Sequence, residues 1–217
     1  MATVLAKGLA LRELHVAGNA LGDLGVAALV QGAVAGQGLR GLYANGCGVR
    51  DAGAKEIANI MQNSTHLETL CLGHGFIGDD GMSALSRTLA SNCALRRLLL
   101  SHNLLKAAAG KAIAGMLQSN QALLCLNLSN NHLGAAGVEA IASGLQYKST
   151  LLELDLSCCM GTDESFRAVA RAIEANDTLE SFLFSNNHLA LDTLKEIYYT
   201  LGRPTKSVSE LVKQVRQ

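Results

Sequence analysis

Leu95-Arg-Arg-Leu-Leu-Leu-Ser-His-Asn-Leu-Leu105 and Leu123-Leu-Cys-Leu-Asn-Leu-Ser-Asn-Asn-His-Leu133 follow one pattern, with Leu at the first, fourth, sixth and eleventh places and Asn at the ninth. Working outward, the pattern restarts at Leu11, Leu39, Leu67, Leu95, Leu123, Leu151 and Leu179, so every interval is 28 residues. Seven copies in one register describe an array of units, each too small to bury its apolar face alone, whose neighbours stack to share a core.

Within each copy the fourth place (Leu14, Leu42, Leu70, Leu98, Leu126, Leu154, Phe182) and the sixth (Val16, Ala44, Leu72, Leu100, Leu128, Leu156, Phe184) alternate with smaller or polar residues. That period of two predicts a short strand with one buried face. The ninth place holds Asn19, Cys47, Gly75, Asn103, Asn131, Cys159 and Asn187, small groups suited to bonding the backbone of the turn that leaves the strand. Gly75 has no side chain to contribute, so the third turn is expected to be the weak point. Gly161 also departs, standing where other copies carry Leu, Ile or Val.

The second half of each copy reads as a helix. The sets Ala28/Leu29/Ala33, Glu56/Ile57/Met61, Ala84/Leu85/Leu89, Ala112/Ile113/Leu117, Ala140/Ile141/Leu145, Ala168/Val169/Ile173 and Glu196/Ile197/Leu201 are assigned to its buried face. Asp23, Asp51, Asp79 and Asp163 precede the helices as expected N-caps, and Gly25, Gly53, Gly81 and Gly137 leave room for a close neighbour. Asn92, Asn120 and Asn176 mark the return loops.

These repeats resemble the leucine-rich repeat superfamily, in particular its ribonuclease-inhibitor-like class, over residues 11–206. The resemblance implies an α/β solenoid or horseshoe, with a parallel sheet lining the concave face and helices on the convex face. The expected organisation is a short N-terminal segment, 1–10, acting as a partial cap through Leu5, Ala6 and Leu9; seven repeats, 11–206; and a C-terminal capping helix, 207–217. Ser207 and Glu210 there have capping-box spacing, and Val208, Leu211, Val212 and Val215 recur at helical intervals.

Composition narrows the function. The 18 Lys+Arg balance the 18 Asp+Glu, which removes the basic field of a nucleic-acid binder. Apolar residues make up 49% of the chain yet never run to the ~18 positions of a membrane span, and the start Met1-Ala-Thr-Val lacks a secretory pattern. The expectation is a cytoplasmic protein with no membrane and no nucleic-acid partner, its six Cys reduced. No nucleophile elbow, P-loop or His-Glu-x-x-His occurs, so no enzyme is expected. His74 and His102 share a column, but Asn130, Cys158 and Asn186 follow them there, so neither a metal nor a cofactor is expected.

Side chains flanking the strand Leu should face the concave solvent. Glu13, His15, Tyr43, Arg97, Leu99, Asn127, Glu153 and Asp155 are the candidate partner-binding residues, sharing that face with Gly41, Asn45, Thr69, Cys71, Cys125, Ser181 and Leu183. Tyr43 and Arg97 are types that concentrate binding energy, and Glu153 with Asp155 makes an acidic pair. The expected function is protein–protein interaction through this sheet. The resemblance extends the alternatives to ribonuclease inhibitors, actin-filament end-binding proteins, ciliary or signalling scaffolds, the sensor domain of a larger nucleotide-binding receptor, and regulators of small GTPases like the activators of Ran. The last carry an acidic tail, whereas Lys206 to Gln217 has three Lys/Arg and one Glu.

Overall fold

A computed structural model describes residues 2–7, 11–147, 150–176 and 178–201. After α1 (Ala2–Leu5), each 28-residue copy supplies a three-residue strand and then a helix: β1 (Glu13–His15), α2 (Gly22–Gly36), β2 (Gly41–Tyr43), α3 (Asp51–Met61), β3 (Thr69–Cys71), α4 (Asp79–Leu89), β4 (Arg97–Leu99) and α5 (Ala107–Ser119). The series continues with β5 (Cys125–Asn127), α6 (Gly134–Leu145), β6 (Glu153–Asp155), α7 (Asp163–Glu174), β7 (Ser181–Leu183) and α8 (Leu191–Thr200). The strands form one parallel sheet in chain order, each residue pairing with the one 28 positions on, as Leu98 does with Leu126. Each helix packs on the next, so the chain is an α/β solenoid. The C-terminal helix expected over 207–217 and the contribution of Leu9 lie outside the described residues. Leu5 is buried and α1 packs on α2.

The core follows the repeat with two corrections. In the first copy Leu11 is 40% exposed and Leu14 and Val16 are only partly buried, because no strand stacks on the outer side of β1. On the helices, Leu29, Ile57, Leu85, Ile113, Ile141, Val169 and Ile197 are buried as expected, but Ala28, Glu56 and Glu196 are exposed. Adjacent helical residues point about 100° apart, which puts the position before each of these at the edge of the buried face, where Ala84 is covered and Ala112, Ala140 and Ala168 are half-buried. The inward stripe instead runs through Val26, Leu29, Val30 and Ala33 and their equivalents, at spacings of three and four.

The aspartates also act differently from the expectation. No side-chain cap bond comes from Asp23, Asp51 or Asp79 to its own helix. Each reaches into the following repeat: Asp51 Oδ1 accepts from the backbone N–H groups of Gly78 at 2.7 Å and Gly81 at 2.9 Å, and Asp79 Oδ1 from Lys106 at 2.7 Å and Ala109 at 3.0 Å. Asp23 and Asp163 receive the N–H groups of Arg50 and Ala190 in the same way. The carboxylate sits in the first turn of one helix and satisfies the open N–H groups of the next. At Ala107 and Ala135 this chain of caps is interrupted, and α7 is closed by its own Thr162–Ser165 capping box.

The side-chain ladder of the turns resumes directly after Gly75. Asn103 donates to Leu72 O and Leu100 O and accepts from Ile77 N–H; Asn131 repeats this with Leu100 O, Leu128 O and Leu105 N–H. At the third turn Gly75 offers only its backbone, its N–H reaching His102 O at 3.2 Å. A Cβ on Gly75 would stand 2.9 Å from Asn103 Oδ1. A Cβ on Gly161 would lie 2.5 Å from the ring of Phe166, the largest residue in its column and fully buried. Asn92 and Asn120 form a second ladder in the return loops, each donating to two carbonyls of the preceding repeat.

Candidate functional site

The sheet face opposite the helices carries two rows of side chains. One runs Glu13, Gly41, Thr69, Arg97, Cys125, Glu153, Ser181; the other runs His15, Tyr43, Cys71, Leu99, Asn127, Asp155, Leu183. In-register pairing sets each residue beside its equivalent on the next strand, about 4.8 Å away. Six gaps make the face roughly 29 Å across.

All eight candidate residues lie on this face, Glu13, His15, Arg97 and Glu153 exposed and Tyr43, Leu99, Asn127 and Asp155 half-buried. All but Leu99 fall into three groups. At the β1 end the His15 ring stacks flat on Tyr43 with centroids 4.1 Å apart, and His15 Nε2 is 3.2 Å from Glu13 Oε2. In the middle, Arg97 reaches across β5 to Glu153, 3.5 Å away. Beside it, Asn127 donates to Asp155 Oδ2 at 3.1 Å, while Asp155 Oδ1 accepts from Ser157 N–H.

Three residues expected to be open are buried: Gly41, Cys71 and Cys125. Each is short and stands between taller neighbours. Tyr43 covers Gly41, with a ring carbon 3.0 Å from where a Cβ would be. Cys71 lies between Tyr43 and Leu99, and Cys125 lies beneath the Arg97–Glu153 pair. Burial raises the Cys71 thiol to about 11, with the Arg97 charge opposing. Burial, then a hydrogen bond with Glu153, raises Cys125 to about 12. These thiols stay neutral at physiological pH and form an unreactive floor. Partial burial and the nearby Glu13 carboxylate likewise raise the Tyr43 hydroxyl.

A feature the sequence pattern hid borders this face. His74, His102, Asn130, Cys158 and Asn186 all have φ between 53° and 57°, the left-handed conformation usually left to glycine, as at Gly18 and Gly46 in the same column. The glycines were the available signal, masked by five residues of three other types. The N–H groups of the first four donate to the following repeat, His74 to Ser101 O, His102 to Ser129 O, Asn130 to Ser157 O and Cys158 to Ser185 O, which offsets the backbone strain. The His74 and His102 rings stack at 4.1 Å, 14° from parallel. Among the described residues no group of three or more His, Cys, Asp or Glu is placed to hold a metal ion, and no helix is long and apolar enough to cross a membrane.

The family profile described as Leucine Rich repeat matches residues 11–30, 63–86 and 119–142. No curated protein matches this chain. Among solved structures, the chain is similar to leiomodin-1 actin-binding site 2, at 21% identity and a TM-score of 0.48 over 64% of this chain and 78% of that one. It is also similar to the tropomodulin C-terminal domain of Caenorhabditis elegans, at 15% identity and a TM-score of 0.45 over 99% of this chain and 95% of that one.

Proposed function

Because this chain is a leucine-rich repeat protein whose parallel sheet has helices on one side only, we propose that it is a protein-interaction module that seats a protein partner on the opposite, concave face. We read its long αβ repeats as ribonuclease-inhibitor-like and its action as binding rather than catalysis. One observation carries the proposal. Tyr43 on β2 and Arg97 and Leu99 on β4 stand open or partly open on either side of β3, above a floor of short buried residues, while the Leu rows beneath them maintain the fold. An aromatic ring, a guanidinium and an aliphatic side chain held on a rigid sheet can bind with little loss of conformational freedom.

The partner's expected contact residues are Glu13, His15, Tyr43, Arg97, Leu99, Asn127, Glu153 and Asp155. The test is capture from the source cell with the wild-type chain and with Tyr43→Ala/Arg97→Ala in parallel, followed by mass spectrometry. A protein retained by the first and lost by the second supports the reading; equal recovery of every captured protein overturns it. A panel of small GTPases belongs among the purified probes, since accelerated GTP hydrolysis would assign the same face to GTPase regulation.

A further inference from the structure

The turns leaving β2 to β5 form a rim between sheet and helices, in the middle of the solenoid, that carries none of the candidate concave residues. On it Phe76 is 52% exposed and Leu104, one repeat on, is 47% exposed. Backbone bonds hold the row in register: Phe76 N–H reaches Val49 O, Leu104 N–H reaches Ile77 O and His132 N–H reaches Leu105 O. Phe76, Leu104 and the exposed His132 thus stand side by side on consecutive repeats, and Met160, the next equivalent residue, is 64% exposed. Phe166, Phe182 and Phe184 pack against one another, so Phe76 alone of the four Phe is turned out. Single apolar residues are ordinary on a surface, but a row across adjacent repeats marks a contact site.

Charge and donors flank this row. The stacked His74 and His102 rings are exposed on its strand side, Arg50 lies over the Phe76 ring at 5.3 Å from its centre, and Lys106 is exposed on the helix side. From the second repeat to the sixth, no Asp or Glu occupies the columns of His74, Phe76 and Gly78. The carboxylates that follow are engaged: Asp51 and Asp79 accept backbone N–H groups of the next repeat, and Asp80 pairs with Lys55. A chain with no net charge therefore sets a local excess of cations beside an apolar row.

We propose that this rim is a second docking surface, whose occupant is an acidic amphipathic helix of a partner protein. Its apolar stripe lies along Phe76, Leu104 and Met160, and its carboxylates meet Arg50 and Lys106 on one flank and the imidazole N–H groups of His74 and His102 on the other. A helix fits better than an added strand because the rim offers no backbone to pair with. The N–H groups of His74, Gly75, Phe76 and Ile77 are all bonded to neighbouring repeats, and a helix satisfies its own peptide groups. The step also matches, since one helical turn rises about 5.4 Å and successive repeats lie about 4.8 Å apart.

The test is fluorescence anisotropy of the full chain with a labelled synthetic helix of about 18 residues, carrying Leu one turn apart along one face and Glu on both flanks. This probe should bind, and the same helix with Ser for Leu should not. Phe76→Ser/Leu104→Ser should weaken binding at least about tenfold. Arg50→Glu/Lys106→Glu should weaken it as much and turn the preference toward the helix with Lys for Glu. Failure of the acidic helix to bind, equal affinity in the rim variants, or loss of binding in Tyr43→Ala/Arg97→Ala with the rim variants unaffected would each overturn the proposal. So would capture of phosphatidylserine vesicles by a chain that ignores the helix. Arg50 and Lys106 are exposed, so their charge reversal keeps the test decisive even where Phe76→Ser impairs folding.

Discussion

Asp51 and Gly81 fit together as a carboxylate and the space reserved for it: Asp51 Oδ1 takes the Gly81 N–H at 2.9 Å, and a Cβ on Gly81 would stand 2.6 Å from that oxygen. The two residues belong to successive repeats, so this contact couples neighbours rather than closing one helix. Asp51→Ala should cost about 1–2 kcal/mol, the worth of a lost cap. Gly81→Ala should also destabilise, by crowding the carboxylate. The double variant should cost less than the sum, because removing the carboxylate relieves the closest of the methyl's contacts, although Ala54 at 2.9 Å and Ile77 at 3.0 Å still crowd it. Urea denaturation of the four proteins measures the coupling; strict additivity would mean that the contact carries no energy.

Phe166 and Gly161 exchange volume within one repeat. Gly161→Leu should be strongly destabilising alone, since any Cβ meets the Phe166 ring. Combined with Phe166→Val, the residue type of Val26 and Val138 in the same column, it should recover most of the loss. Thermal midpoints of the single and double variants decide this.

Ser86 Oγ is buried and has no hydrogen-bond partner, in a column that holds Ala58, Ala114, Ala142 and Ala170 in four other repeats. Ser86→Ala should therefore raise stability by about 1 kcal/mol, as the desolvated hydroxyl is removed without opening a cavity. An unchanged or lower urea midpoint would show that the hydroxyl is satisfied in solution.

The buried thiols predict an alkaline weakness. Cys71 lies near 11, and Cys125 and Cys159 near 12, all raised first by burial. Unfolded thiols ionise near 8.5, so the unfolded chain loses these protons first. The stabilisation is complete below the unfolded value and is lost as pH rises from about 8.5 through the folded values. Urea midpoints should fall over this range, and Cys71→Ala/Cys125→Ala should fall less steeply than wild type between pH 8.5 and 10.5. At pH 8 the exposed Cys93 should be alkylated well before these three, as peptide mass spectrometry can follow.

The strands and their pairing register were legible because a 28-residue interval leaves few ways to stack Leu98 on Leu126. The eight candidate side chains were legible for the same reason, since alternation along a strand decides which face Tyr43 or Arg97 takes. What escaped were relations between side chains one repeat apart. Asp51 has the composition and place of an ordinary N-cap, and only the packing of helix on helix directs it to Gly78 and Gly81. Cys125 alternates as an open residue should, but the Arg97–Glu153 pair closes over it. The left-handed column escaped because backbone bonds to the next repeat hold His74 and His102 in a conformation that their residue type does not announce.

The central claim is that partner binding and folding reside in different side chains of the same strands. Arg97 is exposed and joined to Glu153 by a surface ion pair, and Tyr43 is half-buried against His15, so Tyr43→Ala/Arg97→Ala should cost the fold no more than about 1–2 kcal/mol. The deciding measurement is the calorimetric affinity of the captured partner for this variant and for Lys55→Glu/Arg87→Glu on the helical side. The account predicts a loss of more than about 2 kcal/mol for the first and an unchanged affinity for the second. Loss of binding on the helical side with Tyr43 and Arg97 dispensable would contradict it.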